Sequence, residues 1–110
     1  MLVHNAGTEY PTPVDDGADD ANARWAALLD NNVSGMWRLT RVLLPLLPRG
    51  ASVIHQSSIW GRIGVAGFSA YSASKHAIFE QNLNFDGGVT ARVENFACAN
   101  GVNEGHSVSL

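Results

Sequence analysis

Apolar positions along the chain fall into two kinds of spacing. Trp25, Leu28, Leu29, Val33, Met36, Trp37, Leu43, Leu44 and Leu47 recur at three- and four-residue intervals, which predicts one long amphipathic helix over residues 21–47. Asp19 or Asp20 offers its N-cap, and Pro45, Pro48 and Gly50 end it. The nearly uninterrupted run 51–56, apolar apart from Ser52, His55 and Gln56, predicts a buried strand, and residues 1–4 read as the tail of another. A second helix is predicted from Ser69 to about Asn82, with Ala70, Ala73 and Ala77 forming a flat face, and a third strand over 89–97. Pro, Asp, Gly and Thr mark 8–20 as a loop, and Gly61, Gly64 and Gly67 punctuate another over 59–68.

Strand, helix, strand, helix, strand is an α/β order, with about three strands and two main helices in a parallel sheet. Residues 1–110 have room for a single domain, and 102–110 read as a frayed tail. Asn32 lies on the apolar stripe of the long helix, four residues after Leu28 and four before Met36. A buried amide left without partners costs about 1–3 kcal/mol, so something must hydrogen-bond to it. Gly35, poor in a helix interior, permits a local distortion there.

Composition narrows the classes. With 45% hydrophobic and 15% charged residues the chain is globular rather than disordered, and a net charge of −3 without a basic patch argues against nucleic acid. The apolar run 42–47 is too short to span a bilayer and no basic-then-apolar leader opens the sequence, so a cytoplasmic location is expected. The single cysteine, Cys98, reads as a buried thiol. The four histidines lack metal-ligand spacing, and His55 in its strand reads as a satisfied structural residue. Asn32-Val33-Ser34 matches a glycosylation acceptor, but without a secretory leader the match reads as chance.

The candidate chemistry centres on Tyr71 and Lys75. Four residues make about one helical turn, so both side chains point to one side. A lysine cation within about 4–6 Å of a phenol favours the phenolate and would pull its pKa about 1–3 units below its usual value of about 10. Tyr71 is thereby a candidate acid/base group. Thirteen positions upstream of Tyr71, Ser58 follows a predicted strand, where a hydroxyl would face the tyrosine across a cleft.

With Asn5-Ala6-Gly7 near the start and Asn32-Val33-Ser34-Gly35 between, this constellation resembles the short-chain dehydrogenase/reductase family. The resemblance is good from residue 2 to about 77, fades through 84 and returns faintly over 89–101. It implies a partial Rossmann-like, doubly wound parallel sheet and an NAD- or NADP-dependent oxidoreductase that interconverts an alcohol and a carbonyl. In that reading Tyr71 passes the proton, Ser58 steadies the substrate oxygen, and Lys75 keeps the tyrosine acidic and holds the nicotinamide ribose. Asn32 supports a proton relay, and Asn5, Ala6 and Gly7 line the cofactor. His4 stands where the family usually has a second asparagine, and Asn100 where it has a proline. The 110 residues contain no G-x-G-x-x-G turn to hold a pyrophosphate, so weak or absent activity is expected of the isolated chain. The implied partners are a small alcohol or carbonyl substrate and a second copy of the chain through the two helices, with neither nucleic acid nor membrane. Two other readings stay open: a non-catalytic, dimerising module without cofactor, and a hydrolase using Ser58 with His55 or His76, although no G-x-S-x-G elbow surrounds the serine.

Overall fold

The computed structural model describes the backbone of residues 1–80, 90–94 and 106–107, with side chains through residue 78. A short strand, β1 (Leu2–His4), leads through a loop into α1 (Ala21–Leu29), which continues through a π-helical segment at Asp30–Ser34 into α2 (Gly35–Leu43). Strand β2 (Ser52–Gln56), a single 3₁₀ turn (Ile59–Gly61), α3 (Ser69–Glu80), β3 (Thr90–Glu94) and β4 (His106–Ser107) complete the order. The sheet runs β1-β2-β3-β4. The first three strands are parallel and β4 lies antiparallel to β3.

The α/β expectation holds, with a fourth, antiparallel strand added. The two residues of β4 fall inside the segment expected to fray. Residues 81–89, 95–105 and 108–110, including Cys98 and Asn100 and the ends of the expected second helix and third strand, lie outside the described residues. No helix among the described residues is long and apolar enough to cross a membrane.

Both crossovers, β1 to β2 and β2 to β3, step the same way across the sheet. Right-handed connections then place α1–α2 and α3 on one face, where α1 packs on α3. His4, Val53 and His55 point into that layer and are buried, whereas Val3 on the opposite face is half exposed. The core adds Leu28, Met36, Ala70 and Ile78.

The long predicted helix forms, with a distortion at Asn32. Gly35 N–H donates to the Asp30 carbonyl five residues back, the spacing of a π turn. That turn holds one extra residue, so Leu28, Asn32, Met36 and Thr40, each four apart, stay on the buried face. A Cβ at Gly35 would stand 3.4 Å from the Asp30 carbonyl oxygen, an ordinary contact. Much of the predicted stripe is not buried: Trp25 and Trp37 are 40% and 48% exposed. Trp37 follows the π turn, which shifts the register a 3.6-residue period presumes. Asp20 occupies the N-cap position but makes no side-chain cap bond; its carbonyl accepts from Arg24 N–H at 2.9 Å. Pro45 falls within a terminal 3₁₀ turn at Leu44–Leu46, and Gly50 at φ 82° turns the chain toward β2.

Candidate active site

Because β1 and β2 are parallel and in register from Leu2↔Val53 to His4↔His55, their carboxyl ends lie side by side. Open α/β sheets bind ligands at such ends. A cleft of about 280 Å³ opens there. The loop after β1 contributes Asn5, Gly7, Thr8 and Glu9, the end of β2 contributes Gln56, Ser57 and Ser58, and α3 contributes Tyr71 and Lys75. Ser58, Tyr71 and Lys75 therefore share one space with Asn5 and Gly7.

Lys75 is 6% exposed, and its Nζ donates to the Gln56 carbonyl at 3.2 Å. The helix carrying it is tied to the strand end, since Ser57 Oγ donates to the Lys75 carbonyl at 3.0 Å. Gly61 makes this approach feasible: a Cβ there would come within 2.7 Å of the Lys75 carbonyl oxygen and 2.8 Å of Ser57 Oγ. Ser58, in extended conformation, caps the 3₁₀ turn by accepting from Trp60 N–H at 3.3 Å. The Trp60 indole meets the Tyr71 ring edge to face at 5.4 Å.

Tyr71 does not behave as its spacing from Lys75 suggests. Burial pushes its phenol above the usual tyrosine value, a hydrogen bond with Ser58 pulls the other way, and the Glu9 carboxylate raises it further. Lys75 Nζ lies 5.4 Å from the centre of the phenol ring and is directed at the Gln56 carbonyl. The loss of water around the phenolate outweighs the nearby cation, which corrects the expectation of an acidified tyrosine. Burial lowers the pKa of Lys75 itself, with Glu9 opposing.

Asn32, 3% exposed, finds the partners its burial demands. Its Oδ1 accepts from Thr8 N–H at 2.8 Å, and its Nδ2 donates to the Thr8 carbonyl at 2.9 Å and to Ser74 Oγ at 3.1 Å. Ser74 in turn donates to the Tyr71 carbonyl at 2.8 Å. One amide thus pins the loop after β1 to the helix that carries the tyrosine. Gly7 sits between: a Cβ on it would lie 3.4 Å from Asn32 Oδ1 and 3.7 Å from Lys75 Nζ. Its bare backbone leaves room beside an amide and an ammonium.

Ala6 lies apart from this cleft, lining a second one of about 210 Å³ with Val3, His4, Met36 and Leu39, a space that Asn5 also borders. His55 is not the satisfied residue expected: it is 0% exposed, stacks on His4 at 4.9 Å, and its Nε2 has no hydrogen-bond partner. His76, on the exposed side of α3, donates from Nδ1 to the Ser72 carbonyl at 2.8 Å, so neither histidine lines the cleft with Ser58. No cluster of three metal-ligating side chains occurs among the described residues. Thr8, Glu9, Gln56, Trp60 and Ser74 belong to the site's construction without a signal in spacing; only proximity to Gly7 or Ser58 in the chain pointed toward them.

A parallel sheet whose strand ends meet a tyrosine–lysine helix and a strand-end serine is an α/β arrangement with a polar cleft at the strand ends. The family model described as short chain dehydrogenase matches residues 1–99, and the chain belongs to that family. It is 33% identical over 90 residues to the oxidoreductase YusZ of Bacillus subtilis, covering 78% of this chain and 31% of that protein. It is 38% identical over 79 residues to dehydrogenase/reductase SDR family member 7B of Bos taurus, covering 70% and 23%. Among solved structures, a short chain dehydrogenase from Pseudomonas syringae superposes with TM-score 0.69 at 33% identity, covering 84% of this chain and 40% of that one. A second, from Shigella flexneri and complexed with NADP, gives 0.59 at 36% identity over 68% and 31%. The chain spans about a third or less of the length of the curated relatives it matches.

Proposed function

We propose that the cleft is the substrate and nicotinamide-ribose side of an NAD- or NADP-dependent oxidoreductase that interconverts an alcohol and a carbonyl. The observation that carries this reading is the convergence of Ser58, Tyr71 and Lys75 with Asn5 and Gly7 on one opening at the strand ends. The space over Gly7, between the Asn32 amide and the Lys75 ammonium, fits a ribose: Lys75 and Tyr71 would hold its hydroxyls, and Asn5 would border the ring. The nicotinamide, when bound, supplies the hydride donor or acceptor.

The chain's own groups handle the proton and the oxygen. Tyr71 Oη gives a proton to the carbonyl oxygen in reduction and takes it from the hydroxyl in oxidation. Ser58 Oγ donates to that oxygen and stabilises charge as it develops. Lys75 supplies positive charge beside the phenol. With burial and Glu9 both holding the phenol protonated, the site as it stands favours Tyr71 as the proton donor. Asn32 keeps the loop and α3 in register and brings a polar amide to within reach of the Lys75 side, the place of a relay. No glycine-rich pyrophosphate turn occurs in the 110 residues, so the isolated chain holds a dinucleotide weakly and turns over slowly or not at all.

The test is Tyr71→Phe in a protein completed with an amino-terminal nucleotide-binding half. Turnover is expected to vanish while cofactor affinity stays nearly intact; retained turnover would refute the tyrosine's role. A second reading, association without catalysis, draws on the exposed apolar side of α2 and the turn after it, where Trp37, Val42 and Leu46 are 48%, 69% and 75% exposed. A chain that dimerises but shows no saturable nucleotide binding would favour it.

A further inference from the structure

Glu9 is a carboxylate in the cleft whose charge helps keep the Tyr71 phenol protonated but which carries no proton in the transfer scheme. It stands on the cleft wall with Tyr71 and Lys75, and its charge is felt by both. Its backbone is clamped on either side. Thr8 is bound through both its amide and carbonyl to Asn32, and Tyr10 Oη donates to the Arg24 carbonyl at 2.6 Å with the Arg24 guanidinium over its ring. Arg24 is itself engaged by Asp16 and by the Pro11 carbonyl. Glu9 is thus held in place, yet among the described residues its carboxylate makes no ion pair and no hydrogen bond.

The rest of the wall shows what would meet it. Among the described residues no aliphatic side chain lines the cleft; hydroxyls, amides, the Tyr71 ring, one carboxylate and one ammonium do. An apolar substrate would desolvate these groups without compensation. A substrate carboxylate would meet repulsion from Glu9 against attraction from Lys75, and a substrate cation the reverse, so neither ion gains a net charge advantage from the wall. A neutral molecule with several hydroxyls satisfies both walls, because a hydroxyl donates to a carboxylate and accepts from an ammonium or a hydroxyl.

We infer that Glu9 sets substrate class by accepting a hydrogen bond from a second hydroxyl of a neutral polyhydroxylated alcohol or hydroxyketone whose reacting oxygen lies at Ser58 and Tyr71. This rests on the reading of the cleft as an alcohol site. Glu9 then acts as a specificity residue that neither gives nor takes the transferred proton.

The experiment titrates the ¹⁵N-labelled protein with butane-2,3-diol, butan-2-ol and 2-hydroxybutanoate, following amide shifts at Ser58 and Tyr71. The diol is expected to bind about threefold to tenfold more tightly than the mono-alcohol, the range of one hydrogen bond to a charged acceptor in a wet site. The hydroxy acid should bind most weakly. Glu9→Ala should erase the preference for the diol, Glu9→Gln should strengthen the hydroxy acid, and Tyr71→Phe should weaken diol and mono-alcohol alike. Binding of both alcohols at the cleft with a preference unchanged in Glu9→Ala would overturn the role of Glu9 and leave the alcohol site standing. Absence of shifts at Ser58 and Tyr71 with every probe would overturn the site reading, and the inference with it.

Discussion

The helix that crosses the sheet buries two polar groups a turn apart, and they are treated in opposite ways. Asn32, on the π segment, is matched atom for atom by the Thr8 backbone and Ser74. His4 and His55, under Met36 and Thr40, stack with planes 2° apart like flat core residues. Thr40 Oγ1 donates to the Met36 carbonyl and so accepts from His4 Nε2 at 2.7 Å; His55 Nδ1 faces Met36 Sδ at 2.8 Å. His55 Nε2 is left with nothing. Full pairing fixes geometry where the cleft requires it, whereas the imidazole pair leaves one buried nitrogen without a partner among the described residues and depends on staying neutral.

The largest effect should come from breaking the paired group. Asn32→Leu removes the side-chain hydrogen bonds to the Thr8 backbone and Ser74 and leaves the Thr8 groups without them, so a loss of about 3–4 kcal/mol is expected in urea unfolding. The Thr8 amide should at the same time lose its protection from hydrogen exchange.

The unpaired group should show itself through pH. Burial, with the charge of His4 adding, holds His55 at about 4 against its ordinary 6.5, and burial also lowers His4. A histidine depressed in the folded state binds fewer protons there than when unfolded. Its contribution is therefore whole above pH 6.5 and falls away as pH drops from 6.5 toward 4. The loss over that window is about 2–3 kcal/mol from the linkage of about 1.4 kcal/mol per pH unit. Unfolding free energies from pH 7 to 4 measure it, and His55→Leu should flatten the slope in that window.

Smaller changes sharpen the contrast. Gly61→Ala forces a Cβ onto the Lys75 carbonyl and Ser57 Oγ, and about 2 kcal/mol should be lost in thermal or urea unfolding as the strand end and α3 are pushed apart. Gly7→Ala meets only ordinary contacts at 3.4 and 3.7 Å, so stability should move by less than about 0.5 kcal/mol while nucleotide binding, read by fluorescence or calorimetry, weakens.

Much of the site could be read along the chain because its signals are local. Tyr71 and Lys75 are one turn apart, Ser58 ends an apolar run, and Asn32 interrupts a helical stripe where a polar residue must find partners. The π turn was foreshadowed only by Gly35, and its consequence for Trp37 was hidden because periodicity presumes a regular helix. The His4–His55 stack joins residues from different strands and depends on sheet register, which sequence spacing does not contain. The phenol of Tyr71 moves opposite to expectation for the same reason: proximity to a cation can be counted in residues, but exclusion of water and the approach of Glu9 cannot. Glu9 itself looks like any loop carboxylate until the fold turns it toward the cleft.

That the strand ends and α3 build one nucleotide-facing site is tested most directly with nicotinamide mononucleotide, which carries the ribose and ring without the adenylate half. Titrated into the ¹⁵N-labelled protein at millimolar concentration, it should shift the amides of Asn5, Gly7, Ser58 and Tyr71, and Lys75→Met should abolish those shifts. Shifts confined to the Ala6–Leu39 cleft or to the loop around Val14, or shifts that survive Lys75→Met, would contradict the site.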